Sequence, residues 1–542
     1  MEQFQSPRVW FPSPDSPILA DAPGRYPVVF NFLFQSILGW TPTGAGKNLS
    51  EKCSTDLWES RMRDPRLAVS AQIQGGLVQK YLQQCSAELE SGDDGGLTNA
   101  RRMLSMSYDP QGHPFLRRVV INLPGNVKLK GLLALKGDFK RRPFVILRSG
   151  IFSSIEDFRP ERGWLMMLFE QAPFNVLLVE NMTSADFIAN NNQFSFGGYD
   201  EGIQNILLAQ MLKNPVEPLS RIVDSVHVFG MSLGGHGVLF SSLLNKYNSP
   251  NGHSLIQSFL AMCPVVNLKP TMESLTQSGV KSAFVDLWGR RRLGNLEEKL
   301  PGLVQYDSFK YLNKAVSEVV RTYHGGLSYI STVKLPPGMK DSESFWHDND
   351  FWKFYQDVQE PVMIWATEQD PLVPFDKNSQ MLLNKQMKVA SKNLRVVEFA
   401  QGFHCTLPVA YDWKFISSMF QAYILSHSPT FKMRDQNLNM ELSDEEWKGF
   451  FTGPILTQFE VDEPGRKKNF VKIEIKMVNP QGKDKSMNLS LPLSEFDFRF
   501  LNSVLSSSEK EMVVRWINQN LRVSVQQAAG KANLKVSWPI AL

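Results

Sequence analysis

The sequence predicts an α/β fold: a mostly parallel central sheet flanked by helices, with an inserted helical cap, an N-terminal extension and a small C-terminal α+β domain. Three observations predict it. Short runs rich in Val, Leu, Ile and Phe recur between residues 118 and 399, separated by helix-length segments, and continuous apolar runs are what strands buried on both faces require. The interval between two of these runs, about 264 to 360, is far longer than a crossover needs. In Val471-Lys472-Ile473-Glu474-Ile475-Lys476-Met477, apolar residues alternate strictly with charges, the mark of a strand with one face in water.

Residues 1–115 read as an irregular start followed by helical stretches; in one of them Leu77, Val78, Tyr81 and Leu82 share a face, with Gln79 and Gln83 beside it. The run Val28 to Trp40 carries Asn31, Gln35 and Ser36 and is too short to span a bilayer, so a buried or interfacial helix is expected there. A break at Asp109-Pro110-Gln111-Gly112 leads into the segment 116–429. In it, Arg118–Leu123 and Val127–Leu135 flank a Pro-Gly-Asn turn. Apolar strands follow at Pro143–Leu147, Phe174–Glu180, Val223–Phe229, Ile256–Cys263, Pro361–Ala366 and Leu394–Phe399. The interval 264–360 is rich in rings, Trp288, Phe345, Trp346, Phe351, Trp352, Phe354 and Tyr355, as expected of a cap, although rings at such spacing also build a core. In 430–542 the alternating strand meets a turn at Asn479-Pro480-Gln481-Gly482 and a partner strand around Met487–Leu491. Ser508 and Glu511 suit the start of a helix through Trp516, and Leu521–Val525 suits another strand.

A chain of 542 residues with 42% hydrophobic and 21% charged residues buries a large core without difficulty, and this composition excludes extensive disorder. A net charge of +4 and two short basic clusters, Lys140-Arg141-Arg142 and Arg290-Arg291-Arg292, accompany no nucleic-acid-binding module, so no nucleic-acid partner is expected. Four cysteines, Cys53, Cys85, Cys263 and Cys405, lie too far apart for a zinc knuckle and are too few for a disulfide scaffold; Cys53 can pair with Cys85 only in an oxidising compartment. Pro7, Pro12, Asp15, Pro17 and Asp21 interrupt the place a secretory signal would occupy, which makes the cytoplasm the expected compartment, with no transmembrane segment. Thr43-Gly44-Ala45-Gly46-Lys47-Asn48 is like a phosphate-binding loop, but Thr41 stands where its first glycine belongs and Asn48 where Ser or Thr belongs.

The chemistry centres on Gly230-Met231-Ser232-Leu233-Gly234-Gly235, directly after one apolar strand and before a helical run through Leu239, Leu243 and Leu244. A serine hydroxyl is a poor nucleophile unless held exposed beside a base, and a sharp strand-to-helix turn with small neighbours does that. Of the 8 histidines, His404 follows the last core strand and precedes a helix-like run, whereas His227 lies inside a strand and His236 one turn beyond Ser232. Asp370 follows the strand Pro361–Ala366 and suits the carboxylate that orients the imidazole, with Glu368 and Asp376 as neighbouring alternatives. Oxyanion donors are expected from the N–H of Leu233 and from the loop after Pro143–Leu147, at Ile151 or within one residue of it.

The order Ser232, Asp370, His404 along an alternating α/β segment resembles the α/β-hydrolase fold family, and the likeness covers Arg117 to Ser428. Asp370-Pro371-Leu372-Val373-Pro374 is similar to the acid loop of esterases in that family; Ser149-Gly150 departs from it, standing where many members have His-Gly. The resemblance implies a serine esterase or lipase-like enzyme acting through an acyl-enzyme on Ser232, with His404 as base and Asp370 as orienting acid. Its substrate would be a small carboxylic ester or other acyl compound, a thioester or amide included, and the mechanism needs no metal or organic cofactor. Acyl transfer by the same residues and a catalytically silent binding scaffold are the other readings; the oligomeric state is not legible.

Overall fold

The computed structural model describes residues 18–20, 49–64, 70–90, 116–136, 141–155, 160–169, 172–191, 195–196, 198–249, 253–276, 333–339, 344–383 and 393–428, with backbone strands between 455 and 537. Nine strands form one sheet: β1 (Ile18–Ala20), β2 (Leu116–Leu123), β3 (Val127–Ala134), β4 (Arg142–Arg148), β5 (Asn175–Val179), β6 (Val223–Met231), β7 (Ser258–Met262), β8 (Val362–Thr367) and β9 (Leu394–Phe399). Their spatial order is β1-β2-β3-β5-β4-β6-β7-β8-β9. The strands from β5 through β4 to β9 run parallel, and β1, β2 and β3 join them by antiparallel pairs. With β4 and β5 exchanged relative to the chain and β3 antiparallel to β5, this is the α/β-hydrolase fold. The β2–β3 turn falls on Pro124-Gly125-Asn126, where Gly125 (φ 76°) and Asn126 (φ 62°) take up left-handed backbone that other residue types avoid.

Every residue of β4, β5, β7 and β8 is buried, as strands covered on both faces must be. Because side chains alternate across a strand, the sheet feeds two cores. One holds Val145, Leu147, Phe229, Met231, Leu260, Met262, Met363 and Trp365 under helices α1 (Thr55–Arg63), α2 (Ala71–Leu89) and α3 (Pro160–Phe169), together with a helix at Trp413–Ser426. The other holds Phe144, Ile146, Val226, Val228, Phe259, Ala261 and Ile364 under α4 (Gly198–Lys213) and α5 (Leu233–Asn248).

The edge strand β9 exposes a row of backbone groups that water or another chain would otherwise claim. Helix α2 covers it: Gln79 Nε2 donates to Glu398 O (3.0 Å) while Gln79 Oε1 accepts from Glu398 N (2.8 Å), and Gln72 Nε2 donates to Leu394 O (2.6 Å). Below these amides, Val78, Tyr81, Leu82, Cys85 and Leu89 enter the core on one face, and Trp58 stacks on Tyr81 at 4.6 Å. The amphipathic stretch expected around Leu77–Leu82 is therefore an integral wall of the sheet, and β1 adds a strand that the helical reading of residues 1–115 did not anticipate.

The Cys53–Cys85 bond, left conditional by the sequence, ties α2 to the segment before α1, and a second disulfide joins Cys263 to Cys405. That second bond crosses 142 residues of sequence, so no spacing pattern betrayed it. Beyond residue 428, β10 (Ile455–Val461), β11 (Phe470–Val478) and β12 (Asp484–Pro492) form an antiparallel sheet, and β13 (Arg522–Ala528) pairs with β14 (Lys531–Ser537). In the backbone register of β11 and β12, Ile473 pairs with Leu489 and Ile475 with Met487, while the helix expected through Trp516 and the apolar run Val28–Trp40 lie outside the described residues. Among the described residues no helix is long and apolar enough to cross a membrane.

The α2–β9 contact is testable by Gln79→Ala, which removes the side-chain partner of two partly buried backbone groups of Glu398. The variant should lose about 1–3 kcal/mol of unfolding free energy in urea titrations; an unchanged midpoint would show that water replaces the amide without cost.

Candidate active site

The strand β6 ends and α5 begins with a single residue between them, Ser232, whose backbone is left-handed (φ 55°, ψ −121°). A non-glycine residue in that region carries strain that its surroundings must fix in place. Ser232 N donates to Met262 O (3.0 Å), and Ser232 O accepts from His236 N (3.1 Å) and Val265 N (3.3 Å), so both sides of the turn are held. The glycines around it answer to space. A Cβ on Gly230 would lie 2.5 Å from Gly234 O, and one on Gly234 would lie 2.2 Å from Ser149 O. The first turn of α5 thus presses backbone to backbone against the end of β4.

His404 and Asp370 arrive from the loops after β9 and β8, at the same carboxyl end of the sheet. His404 Nε2 lies 2.9 Å from Ser232 Oγ, and His404 Nδ1 lies 2.7 Å from Asp370 Oδ2. The other oxygen, Asp370 Oδ1, accepts from Leu372 N and Val373 N at 2.9 Å each, which fixes the carboxylate. The histidine loop is fastened by Phe403 N to Thr406 Oγ1 (2.7 Å), by Gln401 N to the Tyr411 hydroxyl (3.0 Å) and by the Cys263–Cys405 bond. Glu368 and Asp376, the alternative acids, are exposed. His236 is buried, its ring 2.7 Å from Val265 O, and burial pulls its pKa down to about 4, so it stays neutral as a packing residue. His227 is enclosed by Ser225, Ser258 and Ser428.

The loop after β4 runs beside the serine, since a Cβ on Gly150 would sit 3.4 Å from Ser232 Cβ. Its neighbouring amides are engaged: Gly150 N donates to Glu161 Oε1 (3.3 Å), Phe152 N to Thr183 Oγ1 (2.6 Å) and Ser153 N to Gly150 O (3.2 Å). Among the described residues, no hydrogen bond involves the amide of Ile151 or of Leu233. Ser149 Oγ, at the position where the family resemblance leads one to expect histidine, donates to Val179 O (3.0 Å) and secures the loop to β5.

A buried polar layer under this loop was not foreseen from the sequence. Arg148 reaches Asn205 Oδ1 (2.5 Å) and Gln204 Oε1 (2.9 Å), and Asn181 Nδ2 donates to both Ser149 O (3.2 Å) and Glu201 Oε1 (2.6 Å). Glu180 accepts from Lys130 N and from the Ser184 hydroxyl, each at 2.8 Å. Burial, the largest influence on each, raises Glu180 and Glu201 to a pKa of about 8. The one available signal was a pair of polar residues, Glu180-Asn181, closing the apolar run Val176–Val179.

The inserted stretch contributes mostly core in its described part. Phe351, Phe354 and Tyr355 are buried with Phe240 of α5, and Trp352 stacks on Tyr355 at 5.9 Å. Trp346 is only partly covered, edge-on to Phe345; Trp288 lies outside the described residues.

No protein-family model and no curated protein matches the sequence. Among solved structures, the chain is similar to an esterase of Pyrococcus furiosus at 15% identity, covering 59% of this chain and 93% of that one with a TM-score of 0.37. It is also similar to a 2,6-dihydroxy-pseudo-oxynicotine hydrolase, at 12% identity over 69% of this chain and 86% of that one with a TM-score of 0.39. A third is a dipeptidyl peptidase 4 of Porphyromonas gingivalis, at 12% identity over 58% of this chain and 35% of that one with a TM-score of 0.32.

Two outcomes follow from this geometry. Gly234→Ala forces the loop after β4 and α5 apart, and should lower stability by about 1–3 kcal/mol or more; a thermal melt superposing on wild type would show that the close approach is not enforced. The second concerns Glu180, which holds a proton in the fold that the unfolded chain releases near pH 4.5, so its contribution to stability falls as pH rises from there to about 8. Glu180→Gln, which cannot ionise, should flatten that decline in unfolding midpoints measured across the window.

Proposed function

We propose that the chain is a serine hydrolase that cleaves a carboxylic ester through an acyl-enzyme. The observation that carries this reading is the unbroken contact chain from Ser232 Oγ through both nitrogens of His404 to Asp370, presented at the carboxyl ends of β6, β8 and β9 of one sheet. With Asp370 Oδ2 accepting from Nδ1–H, the free Nε2 lone pair faces the serine hydroxyl and can take its proton as Oγ attacks the acyl carbon. The carbonyl oxygen then gains negative charge, and the unengaged N–H groups of Leu233 and Ile151 are suited to receive it. Ser232 Oγ lies at the head of the 16-residue helix α5, whose aligned peptide dipoles favour negative charge there. Protonated at Nε2, His404 gives its proton to the departing alcohol. A water molecule, deprotonated by the same nitrogen, releases the acid from Ser232. Thioesters and amides fit the same steps, with a different leaving group.

The test uses a panel of p-nitrophenyl esters of increasing chain length and labelling by a fluorophosphonate. Ser232→Ala and His404→Ala should each lower turnover by about 10⁴ to 10⁶, and Ser232→Ala should abolish labelling. Asp370→Asn should cost about 10² to 10⁴ by misorienting the imidazole, while Glu368→Gln and Asp376→Asn change little. A wild-type protein that is neither labelled nor active on any ester would overturn the proposal in favour of a silent scaffold.

A further inference from the structure

The base of the proposed mechanism has a sulfur beside it. Cys405 follows His404 directly, and its Sγ lies 3.8 Å from His404 Nε2, the same nitrogen that contacts Ser232 Oγ. Cys263 follows β7 directly and donates its N–H to Trp365 O (2.7 Å), so its backbone is anchored to β8. Both cysteines have left-handed backbone, φ 44° at Cys263 and φ 56° at Cys405, and these two turns aim the sulfurs at each other and at the imidazole. Cys263 Sγ, Cys405 Sγ and a His404 ring nitrogen all lie within 4.8 Å of one another, and all three side chains are buried or largely covered.

We propose that Cys263 and Cys405 are a thiol–disulfide switch whose reduced form binds a soft divalent cation together with His404 Nε2, and that the bound cation removes the base from Ser232. A tetrahedral thiolate and imidazole site separates its ligand atoms by roughly 3.6 Å, close to the Sγ to Nε2 distance of 3.8 Å already present. Thiolate and imidazole are the ligands that select zinc-class and cadmium-class cations over hard ones. In the oxidised state no lone pair of a thiolate is offered and Nε2 is left to the serine. Two electrons from a phosphine reductant cleave the S–S bond; water supplies the two thiol protons and its oxygen ends on the phosphorus. Metal binding then displaces both thiol protons and occupies the Nε2 lone pair. Three protein ligands leave a fourth position on the side of Ser232.

The consequence for activity rests on the proposed role of His404, whereas the binding itself does not. The experiment takes the full chain, oxidised or phosphine-reduced, and titrates it with cadmium while following the ultraviolet thiolate-to-cadmium band; ester hydrolysis is read in parallel with zinc. Reduction also opens Cys53–Cys85, so Cys53→Ser/Cys85→Ser serves as background, with wild type minus Cys263→Ser as a second measure should that background fail to fold. The expected result is one equivalent of cadmium in the reduced chain and none at this site in the oxidised chain, the band lost in Cys263→Ser and in Cys405→Ser, and weaker affinity in His404→Ala. Zinc should inhibit only the reduced chain, by about 10²-fold or more. A reduced chain with no more cadmium band than Cys263→Ser overturns the site, and undiminished affinity in His404→Ala overturns the imidazole ligand. Equal inhibition of the oxidised chain overturns the switch. Should neither state hydrolyse any ester, the functional proposal fails and the cadmium band alone still decides the site.

Discussion

The first turn of α5 lies against the carbonyl ends of β4 with no room for a side chain, and the candidate site depends on that approach. A Cβ on Gly234 would stand 2.2 Å from Ser149 O and 2.8 Å from Arg148 O. Closing the gap places the Gly150 backbone beside Ser232 Cβ, so a strand-end loop and a helix N-terminus, two different sources of backbone N–H groups, converge on one hydroxyl. The left-handed backbone of Ser232 is the local cost of the turn. It is offset by the hydrogen bonds on both sides of the residue and by two sheet-wide cores that fix β6 and α5 independently.

The polar layer beneath the loop has a related task. The loop after β4 leaves the amide of Ile151 unengaged, and its other groups are met from outside: Ser149 O by Asn181, Gly150 N by Glu161, Phe152 N by Thr183. Asn181 passes the connection on to Glu201, which shares α4 with the Asn205 and Gln204 amides that hold Arg148. Under the proposed mechanism such rigidity is useful, because donors fixed beforehand need not reorganise as charge develops. Burial raises the carboxyls of Glu180 and Glu201 to a pKa of about 8, which favours their uncharged forms in this layer.

On the opposite flank, α2 and the helix from Trp413 to Ser426 enclose the loop that carries His404. Asp412 N donates to Leu89 O at 2.7 Å and Glu90 bridges Tyr411, while Gln74 reaches Ser426 Oγ (2.5 Å) and His427 Nε2 (2.7 Å). The N-terminal helices therefore belong to the frame that sets the imidazole, although they lie more than 300 residues away in sequence, as the Gln79–Glu398 separation of 319 illustrates.

By itself the sequence determined the strands, since runs such as Phe144–Leu147 and Val362–Ala366 can be buried only between two helical layers, and it determined the turn at Ser232, since Gly230, Gly234 and Gly235 are spaced for a strand that meets a helix. It also singled out His404 and Asp370 by their places after the last two strands. What only the tertiary structure decided are relations that cross the chain without a period or spacing to reveal them. Whether Asp370 or an exposed neighbour faces the imidazole depends on which carboxylate the amides of Leu372 and Val373 hold, and whether the rings of Phe351 and Tyr355 line a pocket or fill a core depends on where α5 presents Phe240. The Cys263–Cys405 bond and the amide cover on β9 are likewise contacts between residues far apart in sequence, fixed by the alignment of β7, β8 and β9 in one sheet and by nothing local to either partner.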